Sequence, residues 1–343
     1  MKKPSKHRIA LTIVAVVSIG VAGGSAIGAE NSEWTLRLEP MYTDAFGNDR
    51  QVLRVRQLDL DATPSTDTGT PVALDTEGTL ANRFTVQYSR ANWQDWTLGL
   101  DFIFFGSGQG RPARTAAADG PSGPIDQVVF EVTDRSFTSN DPAESLSFSV
   151  LTDTDMAAWT MDLYGIRTLA DAPGRKLYLL LGLRNADFDN DYHGIAGIDS
   201  VNGSLIDASS NYDSMQGPLL GLIGEIQLGK NTLTGYIGQS VVFGSTNLSR
   251  TISDFVGPAG DPLTIVAQET YRRIQDVSIP ITEFRVRWMH PVSRRFSVGA
   301  TANASIWSDV PVPPATEPGI TGGGLDRNTI VFFGLGAALE YRF

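Results

Sequence analysis

Polar and apolar residues alternate over many stretches of this chain, so that every second side chain is apolar. In the stretch 83–89, Phe84, Val86 and Tyr88 stand between polar neighbours. The same period recurs in the stretches 96–104, 177–184 and 283–288. A period of two is typical of a β-strand whose two faces meet different surroundings. Helical spacing is not sustained over three turns after the first 30 residues, so we predict an all-β fold.

Ten of these stretches are about as long as a tilted membrane strand, which needs about 9–11 residues. The predicted strands are 33–42, 81–90, 95–105, 156–168, 175–187, 215–228, 231–243, 278–290, 294–307 and 327–343. Two regions leave the strand count open. The stretch 50–60 and the pair 128–132 and 146–150 also alternate, either as hairpins above the membrane or as further strands of a 12- or 14-stranded barrel.

The connections between the predicted strands distinguish a membrane barrel from a soluble β-sandwich. Tight connections at 91–95, 170–174, 229–231 and 291–293 alternate with long polar segments. The long segments lie near 43–80, 106–155, 188–214, 244–277 and 308–326. Outer-membrane barrels have short periplasmic turns and long extracellular loops, whereas a sandwich has no reason for this asymmetry. The pattern therefore predicts a transmembrane antiparallel up-and-down β-barrel of about ten strands.

The six tryptophans fall at the ends of the predicted strands, as expected for aromatic girdles at membrane interfaces. Four lie near the periplasmic ends: Trp34, Trp93, Trp96 and Trp288. Two lie near the outer ends: Trp159 and Trp307. Trp307 fits less well, because its parity matches the polar Ser305 and not the apolar Val298.

The first 29 residues have the pattern of a secretory signal peptide. Four basic residues and no acid in 1–8 precede the apolar stretch 9–22, and small residues lead to Ala29. We predict cleavage after Ala29, which leaves 30–343 as the mature barrel; an uncleaved anchor would need about 20 apolar residues.

The last residues carry the most specific pattern. Counting back in twos from Phe343 gives seven apolar positions, which end with Leu339, Tyr341 and Phe343. This ending resembles the C-terminal signal by which bacterial outer-membrane barrels are recognised for insertion. The resemblance implies that these three residues engage the barrel assembly machinery. It also implies that the protein is located in the bacterial outer membrane, in contact with its lipids.

Three segments are similar to core strands of the Legionella-type major outer membrane protein family: 96–105, 161–167 and 179–188. The similarity extends over about half of the chain in short pieces. The family forms pores, so the resemblance implies a porin-like role and supplies no catalytic residues.

Composition and charge exclude several classes of protein. The chain has no cysteine, which excludes disulfides, iron–sulfur clusters and thiolate zinc sites. Its net charge of −11 becomes −15 when the four basic residues of the signal peptide are removed, so we expect no nucleic-acid partner. Charged residues make up 19%, below the roughly 25% of soluble proteins, which indicates that something other than water covers part of the surface.

Charged residues at inward positions of the predicted strands are the candidate functional residues. Seven are predicted to face the lumen: Arg83, Asp101, Arg184, Glu225, Glu283, Arg285 and Arg287. Such charges either line an aqueous path or pair with one another and fill the barrel. Ten strands enclose a space wider than an eight-stranded barrel and narrower than a porin, so both interpretations remain open.

The function that we expect is porin-like passage of ions or small solutes. The alternative is a non-conducting structural or adhesive barrel that presents large extracellular loops. A minor alternative is a hydrolase at the outer rim, because His193 lies in an acidic segment with Asp187, Asp189 and Asp191. The spacing of these three resembles the start of a calcium loop, but the later ligands are missing. We expect no enzymatic activity, catalytic residue, metal or cofactor; an oligomer is possible.

We predict that replacing Phe343 with Ser lowers the amount of protein inserted into the outer membrane. Export and signal cleavage should be unchanged, because only the C-terminal signal is altered. Quantitative blotting of outer-membrane and periplasmic fractions measures this effect, with Val331→Ser at the start of the same apolar series as the control. Equal insertion of the Phe343 variant and the parent would show that the ending is accidental.

Overall fold

A computed structural model describes most of the chain after residue 31. The described residues are 32–46, 51–59, 66–73, 78–90, 93, 96–106, 113–118, 127–132, 135–139, 146–198, 202–256, 264–312 and 326–343. The predicted signal peptide and its cleavage site lie outside them.

These residues form fifteen β-strands and no helix. The strands are β1 (Ser32–Phe46), β2 (Gln51–Asp59), β3 (Thr66–Ala73), β4 (Thr79–Arg90), β5 (Trp96–Gly106), β6 (Ala113–Ala118), β7 (Gln127–Val132), β8 (Arg135–Ser139), β9 (Leu146–Ala172), β10 (Arg175–Ile198), β11 (Asn202–Leu228), β12 (Asn231–Val256), β13 (Thr264–Pro291), β14 (Phe296–Val312) and β15 (Asp326–Arg342). No helix among the described residues is long and apolar enough to span a membrane.

Ten of the strands close into a ring of antiparallel pairs, as the sequence predicts. The order around the ring is β1, β4, β5, β9, β10, β11, β12, β13, β14 and β15, and β15 pairs again with β1. The closing pair matches Leu36 with Tyr341 and Leu38 with Leu339. Closure pairs backbone groups with neighbouring strands on both sides, which a lipid-embedded sheet requires because lipid offers no hydrogen bonds.

The five remaining strands lie outside the ring, which settles the two open regions. β2, β3, β7 and β8 form a separate four-stranded sheet, so 50–60 and 128–132 are not barrel strands. β6 pairs with the first residues of β9, and 146–150 therefore begins that ring strand. The 12- and 14-stranded alternatives are wrong.

Two-residue turns at one end of the barrel join several of the strands. β9 and β10 are joined at Gly174, with φ +73°, and β11 and β12 at Gly229, with φ +64°. Glycine adopts this left-handed conformation without the steric penalty of a Cβ atom. The first and last described strands, β1 and β15, meet at the same end, since the amide of Phe343 donates to the carbonyl oxygen of Trp34 at 3.0 Å. Short turns indicate that this is the periplasmic end.

Two of the predicted long loops are in fact strands. The segments 188–214 and 244–277 continue the hairpins β10–β11 and β12–β13 far beyond the ring, and 199–201 and 257–263 alone lie between the described strands. These extensions pair backbone to backbone up to Ile198 with Asn202 and Val256 with Thr264. Their inward face is buried but carries polar residues such as Asn190, Ser210 and Thr246 between the apolar ones, so the apolar alternation that identifies a membrane strand is interrupted although the pairing continues.

The outward face of the ring is an apolar belt. Its large side chains are 39–65% exposed in the isolated chain: Leu98, Leu163, Leu181, Leu183, Leu220, Leu222, Phe284, Val286, Leu335 and Leu339. Inward neighbours on the same strands are polar and buried, such as Asp162, Arg184 and Glu283 at 1–3% exposure. Apolar surface on this scale is favourable only in contact with hydrocarbon, so the belt is the lipid-facing surface.

The tryptophans follow the girdle prediction with one exception. Trp34, Trp96 and Trp288 lie near the periplasmic ends of ring strands and are partly or substantially exposed. Trp307 is fully buried, because its inward parity on β14 directs the ring into the barrel. The girdle assignment is therefore wrong for Trp307. The sequence already indicates this, because Trp307 lies on the opposite face of the strand from the apolar Val298.

Candidate functional site: a filled lumen

A network of buried ion pairs crosses the middle of the barrel. At its centre is Glu283 on β13, whose Oε1 accepts from Arg83 at 2.5 Å and whose Oε2 accepts from Arg184 at 2.8 Å. Arg83 is on β4 and Arg184 on β10, and neither strand neighbours β13 in the ring. The single carboxylate of Glu283 therefore links three separate parts of the barrel wall across the lumen.

Each of the two arginines is also held by a carboxylate on an adjacent strand. Arg83 donates to both oxygens of Asp101 on β5, with its shortest contact at 2.7 Å. Arg184 donates to the two oxygens of Asp162 on β9 at 2.7 and 2.6 Å. Such bidentate pairs fix the plane of each guanidinium group, so that its remaining N–H points across the lumen towards Glu283.

A second set of ion pairs lies on the periplasmic side of Glu283. Arg37 donates to Glu340 on the neighbouring strand at 2.5 and 3.0 Å. Arg287 donates to Glu39 at 2.9 Å, and Arg285 lies 3.5 Å from Asp101. Among the described residues, the two sets together comprise five arginines and five carboxylates, and the exposed Arg342 pairs with Glu340 at the rim. The charges of these two sets therefore balance one another.

A cluster of apolar side chains fills the lumen on the extracellular side of the network. Phe105 stacks on Phe332 at a ring-centroid distance of 4.9 Å, and Trp307 lies 6.2 Å from the same ring. Phe188 contacts Trp307 and Tyr212 from the opposite side, at 6.0 and 5.4 Å. All five are at most 1% exposed. We call this cluster the aromatic plug.

Hydrogen bonds satisfy the polar atoms of the aromatic plug. Trp307 Nε1 donates to Ser305 Oγ at 3.0 Å, and the Tyr212 hydroxyl donates to the carbonyl oxygen of Pro311. Because buried indole and phenol groups need such partners, these bonds fix the orientation of the two largest rings. The described lumen is thus filled at two successive levels, first by ion pairs and then by aromatic rings.

The structure brings together six of the seven predicted lumenal charges: Arg83, Asp101, Arg184, Glu283, Arg285 and Arg287. Glu225 shares the inward parity of β11 but lies nearer the periplasmic end and takes no part in the network. The aromatic plug was missed, because a search for charged inward residues passes over apolar ones. The inward parity of Trp307 was the available signal.

The C-terminal residues lie on the outward face of β15. Leu339, Tyr341 and Phe343 are 39–49% exposed, and the rings of Tyr341 and Phe343 meet edge to face at 4.9 Å. β15 is paired on both sides, with β14 and β1. These residues are therefore part of the lipid-facing belt at its periplasmic edge.

The acidic segment of β10 lies on the outer face of an extended hairpin. His193 Nδ1 is 2.5 Å from Asp207 Oδ1, and both side chains are about half exposed, at 50% and 55%. Asp187, Asp189 and Asp191 share this outward parity on β10. Among the residues whose positions are described, no group of three His, Cys, Asp or Glu residues could hold a metal ion.

Comparison with known proteins finds similarity at the level of fold. No family model matches the chain, and no curated protein matches it. The outer membrane protease OmpT of Escherichia coli is similar over 92% of this chain and 97% of its own, with 12% identity and a TM-score of 0.46. Ail of Yersinia pestis covers 92% and 100%, with 9% identity and a TM-score of 0.27. The toluene transporter TodX of Pseudomonas putida covers 92% and 91%, with 7% identity and a TM-score of 0.27.

The assignment itself rests on the ring and its surface. A closed antiparallel ring, an apolar outward belt and a polar interior satisfy every requirement of a strand-built membrane span. The chain is a bacterial outer-membrane β-barrel.

We predict that Glu283→Gln destabilises the folded barrel by about 3–5 kcal/mol, because it leaves Arg83 and Arg184 short of a buried counter-charge. Glu225→Gln, which is half-buried and outside the network, should change stability by less than about 1 kcal/mol. Urea unfolding of the refolded proteins in detergent gives both values. Equal stability of the two variants would show that the Glu283 bridge is energetically unimportant.

Proposed function

We propose that this protein is a non-conducting outer-membrane barrel that presents tall extracellular hairpins for adhesive or structural contacts. The observation that carries the proposal is the filled lumen. Glu283 links opposite walls at the level of the ion pairs, and the aromatic plug occupies the level above it. Opening a path would separate several buried ion pairs, and breaking even one buried pair costs about 3–5 kcal/mol.

The length of the strands supports the display part of the proposal. β9 to β13 have 24–28 residues each, whereas crossing the membrane takes about 9–11. The excess residues pair into one sheet above the ring, with β6 added at the edge of β9. A hydrogen-bonded sheet holds its distal residues at a fixed distance from the membrane, which a flexible loop does not.

The surface of the β12–β13 extension is suited to contact with a partner. Residues 264–270 are all exposed, and three large apolar residues stand clear of the sheet at 59–69% exposure: Ile265, Val266 and Ile274. Arg272 and Arg273 beside them are also exposed. Apolar side chains next to cationic ones are common at protein contact surfaces, where arginine is enriched.

Porin-like passage, which the resemblance to the Legionella-type family implies, is the alternative that a conductance experiment tests. Hydrolysis is not proposed. His193 and Asp207 lie on the outward face of their hairpin, and both side chains are about half exposed. We further propose contact of the belt with outer-membrane lipids, and of the C-terminal residues with the assembly machinery.

We predict that the purified, refolded protein gives no steady conductance in a planar bilayer, because the lumen is filled at two levels. A general porin inserted under the same conditions is the control for the bilayer. A defined unit conductance would contradict the proposal, above all if Arg285→Glu with Arg287→Glu shifted its selectivity towards cations, as it should in a water-filled pore.

We predict that shortening the β12–β13 hairpin abolishes cell adhesion without affecting membrane insertion. Ser249 and Arg272 are partners in the sheet, so 250–271 can be replaced by Asn-Gly, a two-residue turn that suits a hairpin. Adhesion of cells displaying the parent and the shortened protein is measured on protein-coated surfaces, with surface levels matched. Unchanged adhesion of the shortened protein, or none by the parent, would contradict the display function.

A further inference from the structure

A small cavity lies inside the barrel, on the periplasmic side of the Glu283 bridge. Its volume is about 30 Å³, and β1, β4, β9, β10, β11, β12 and β13 contribute to its wall. A space of about 10–15 Å³ on this measure holds one water, so the cavity has room for a monatomic ion somewhat larger than water. Its polar lining includes Arg37, Arg285, Arg287, Gln87, Tyr164 and Tyr236.

Most of the residues that line the cavity carry hydrogen-bond donors. Three guanidinium groups face it together with amide, hydroxyl and apolar groups, and no carboxylate is part of the lining. Guanidinium groups donate and cannot accept, while the tyrosine and threonine hydroxyls can donate to a ligand. The described wall therefore favours a negatively charged occupant.

Two of the three arginines keep donors that the ion pairs do not use. Arg287 is 8% exposed and donates from one terminal nitrogen to Glu39, while its Nε is buried without a hydrogen-bond partner among the described residues. Arg285 reaches Asp101 only at 3.5 Å, compared with 2.5–2.9 Å for the other buried pairs of the lumen. The cavity therefore borders two guanidinium groups whose charge the ion pairs meet only in part.

The two tyrosines form fixed walls of the cavity. A Cβ atom at Gly99 would lie 2.2 Å from the ring of Tyr164, and one at Gly238 would lie 2.0 Å from the Tyr236 hydroxyl. Both rings therefore lie flat over glycine backbone, where no other residue fits. Arg285 stacks over the Tyr236 ring at 4.9 Å, which holds its guanidinium group at the cavity.

The hydroxyl of Tyr164 has its hydrogen available for a ligand. Gln87 Nε2 donates to the Tyr164 oxygen at 3.2 Å, so the hydroxyl acts as acceptor in that bond. Its own O–H is then the next donor in the chain of hydrogen bonds, and Tyr164 lines the cavity.

We propose that this cavity binds a small inorganic anion of the size of chloride, held by Arg285, Arg287 and the Tyr164 hydroxyl. The ion pairs of the lumen do not use all of the N–H groups of these arginines, so donors remain for the anion. The small volume of the cavity excludes large organic anions. Binding links β9 and β13 through one ligand and stabilises the periplasmic half of the barrel. The proposal holds for a conducting or a closed barrel, since it depends only on the cavity wall.

The test measures thermal unfolding of the refolded protein in non-ionic detergent, with bromide as the probe. Sodium bromide replaces sodium gluconate at constant ionic strength, so screening is unchanged, and gluconate is too large for the cavity. We expect the midpoint temperature to rise with bromide and to saturate. Bromide in crystals should also give an anomalous scattering peak within hydrogen-bond distance of Arg285 and Arg287.

Two variants assign the effect to the cavity. Arg285→Gln should weaken bromide binding about tenfold or more, because a charge-assisted hydrogen bond is lost. Tyr164→Phe removes only a hydroxyl and should weaken binding by a smaller factor, which keeps the test informative if Arg285→Gln does not fold. Arg294→Gln, in the exposed turn 292–295, removes the same charge outside the cavity and should retain the parent response.

Two results would overturn the proposal. One is a parent protein whose midpoint temperature is the same in bromide and gluconate. The other is a bromide response that is equal in the parent, Tyr164→Phe and Arg285→Gln, because binding would then lie elsewhere on the protein. Neither result depends on whether the barrel conducts, so the proposed function is judged separately.

Discussion

The constraint on which this structure depends is that every backbone N–H and C=O in the membrane must find a partner within the sheet. Lipid supplies no hydrogen bonds, so a strand edge left open would cost several kcal/mol for each group. β15 meets this constraint by pairing with β1 over most of its length. The closed ring then fixes which residues face lipid and which face the lumen, and the remaining features follow from that division.

Closure concentrates charged side chains in a narrow space, where they are favourable only in pairs. Transfer of an isolated charge from water is costly, and pairing offsets the cost when the geometry is good. In this barrel each of Arg83 and Arg184 has a carboxylate on a neighbouring strand and shares Glu283 on a third. In a ring of ten strands an arginine reaches the opposite wall, which it could not do in a wide porin. The ion pairs thus connect strands on opposite sides of the lumen.

The two ends of the barrel have different roles in the proposals. Towards the outside, the aromatic plug closes the lumen and rigid hairpins continue the sheet beyond the membrane. Towards the periplasm, the side chains leave a cavity lined by donors. The charges that close the middle of the barrel also separate these ends. A non-conducting display protein with an internal anion site is therefore a consistent account, in which the lumen provides stability and the hairpins provide contact.

The sequence alone determined the all-β class, a barrel of about ten strands with the exact count left open, and the inward parity of most of the charged residues. These features follow from the recurrence of apolar residues at every second position. That pattern is local to each strand, because one face of the strand meets lipid and the other meets the lumen. Even the unusual position of Trp307 was present as a parity mismatch with Val298. Only the tertiary structure decided that Glu283 pairs with Arg83 and Arg184, because residues on non-adjacent strands meet through the curvature and register of the closed ring. It also decided that 188–214 and 244–277 are strands, since polar residues interrupt the apolar alternation there while the backbone pairing continues. The face of the sheet on which a residue lies can be predicted from the sequence of its own strand. A contact across the lumen depends on the position of every strand in the closed ring.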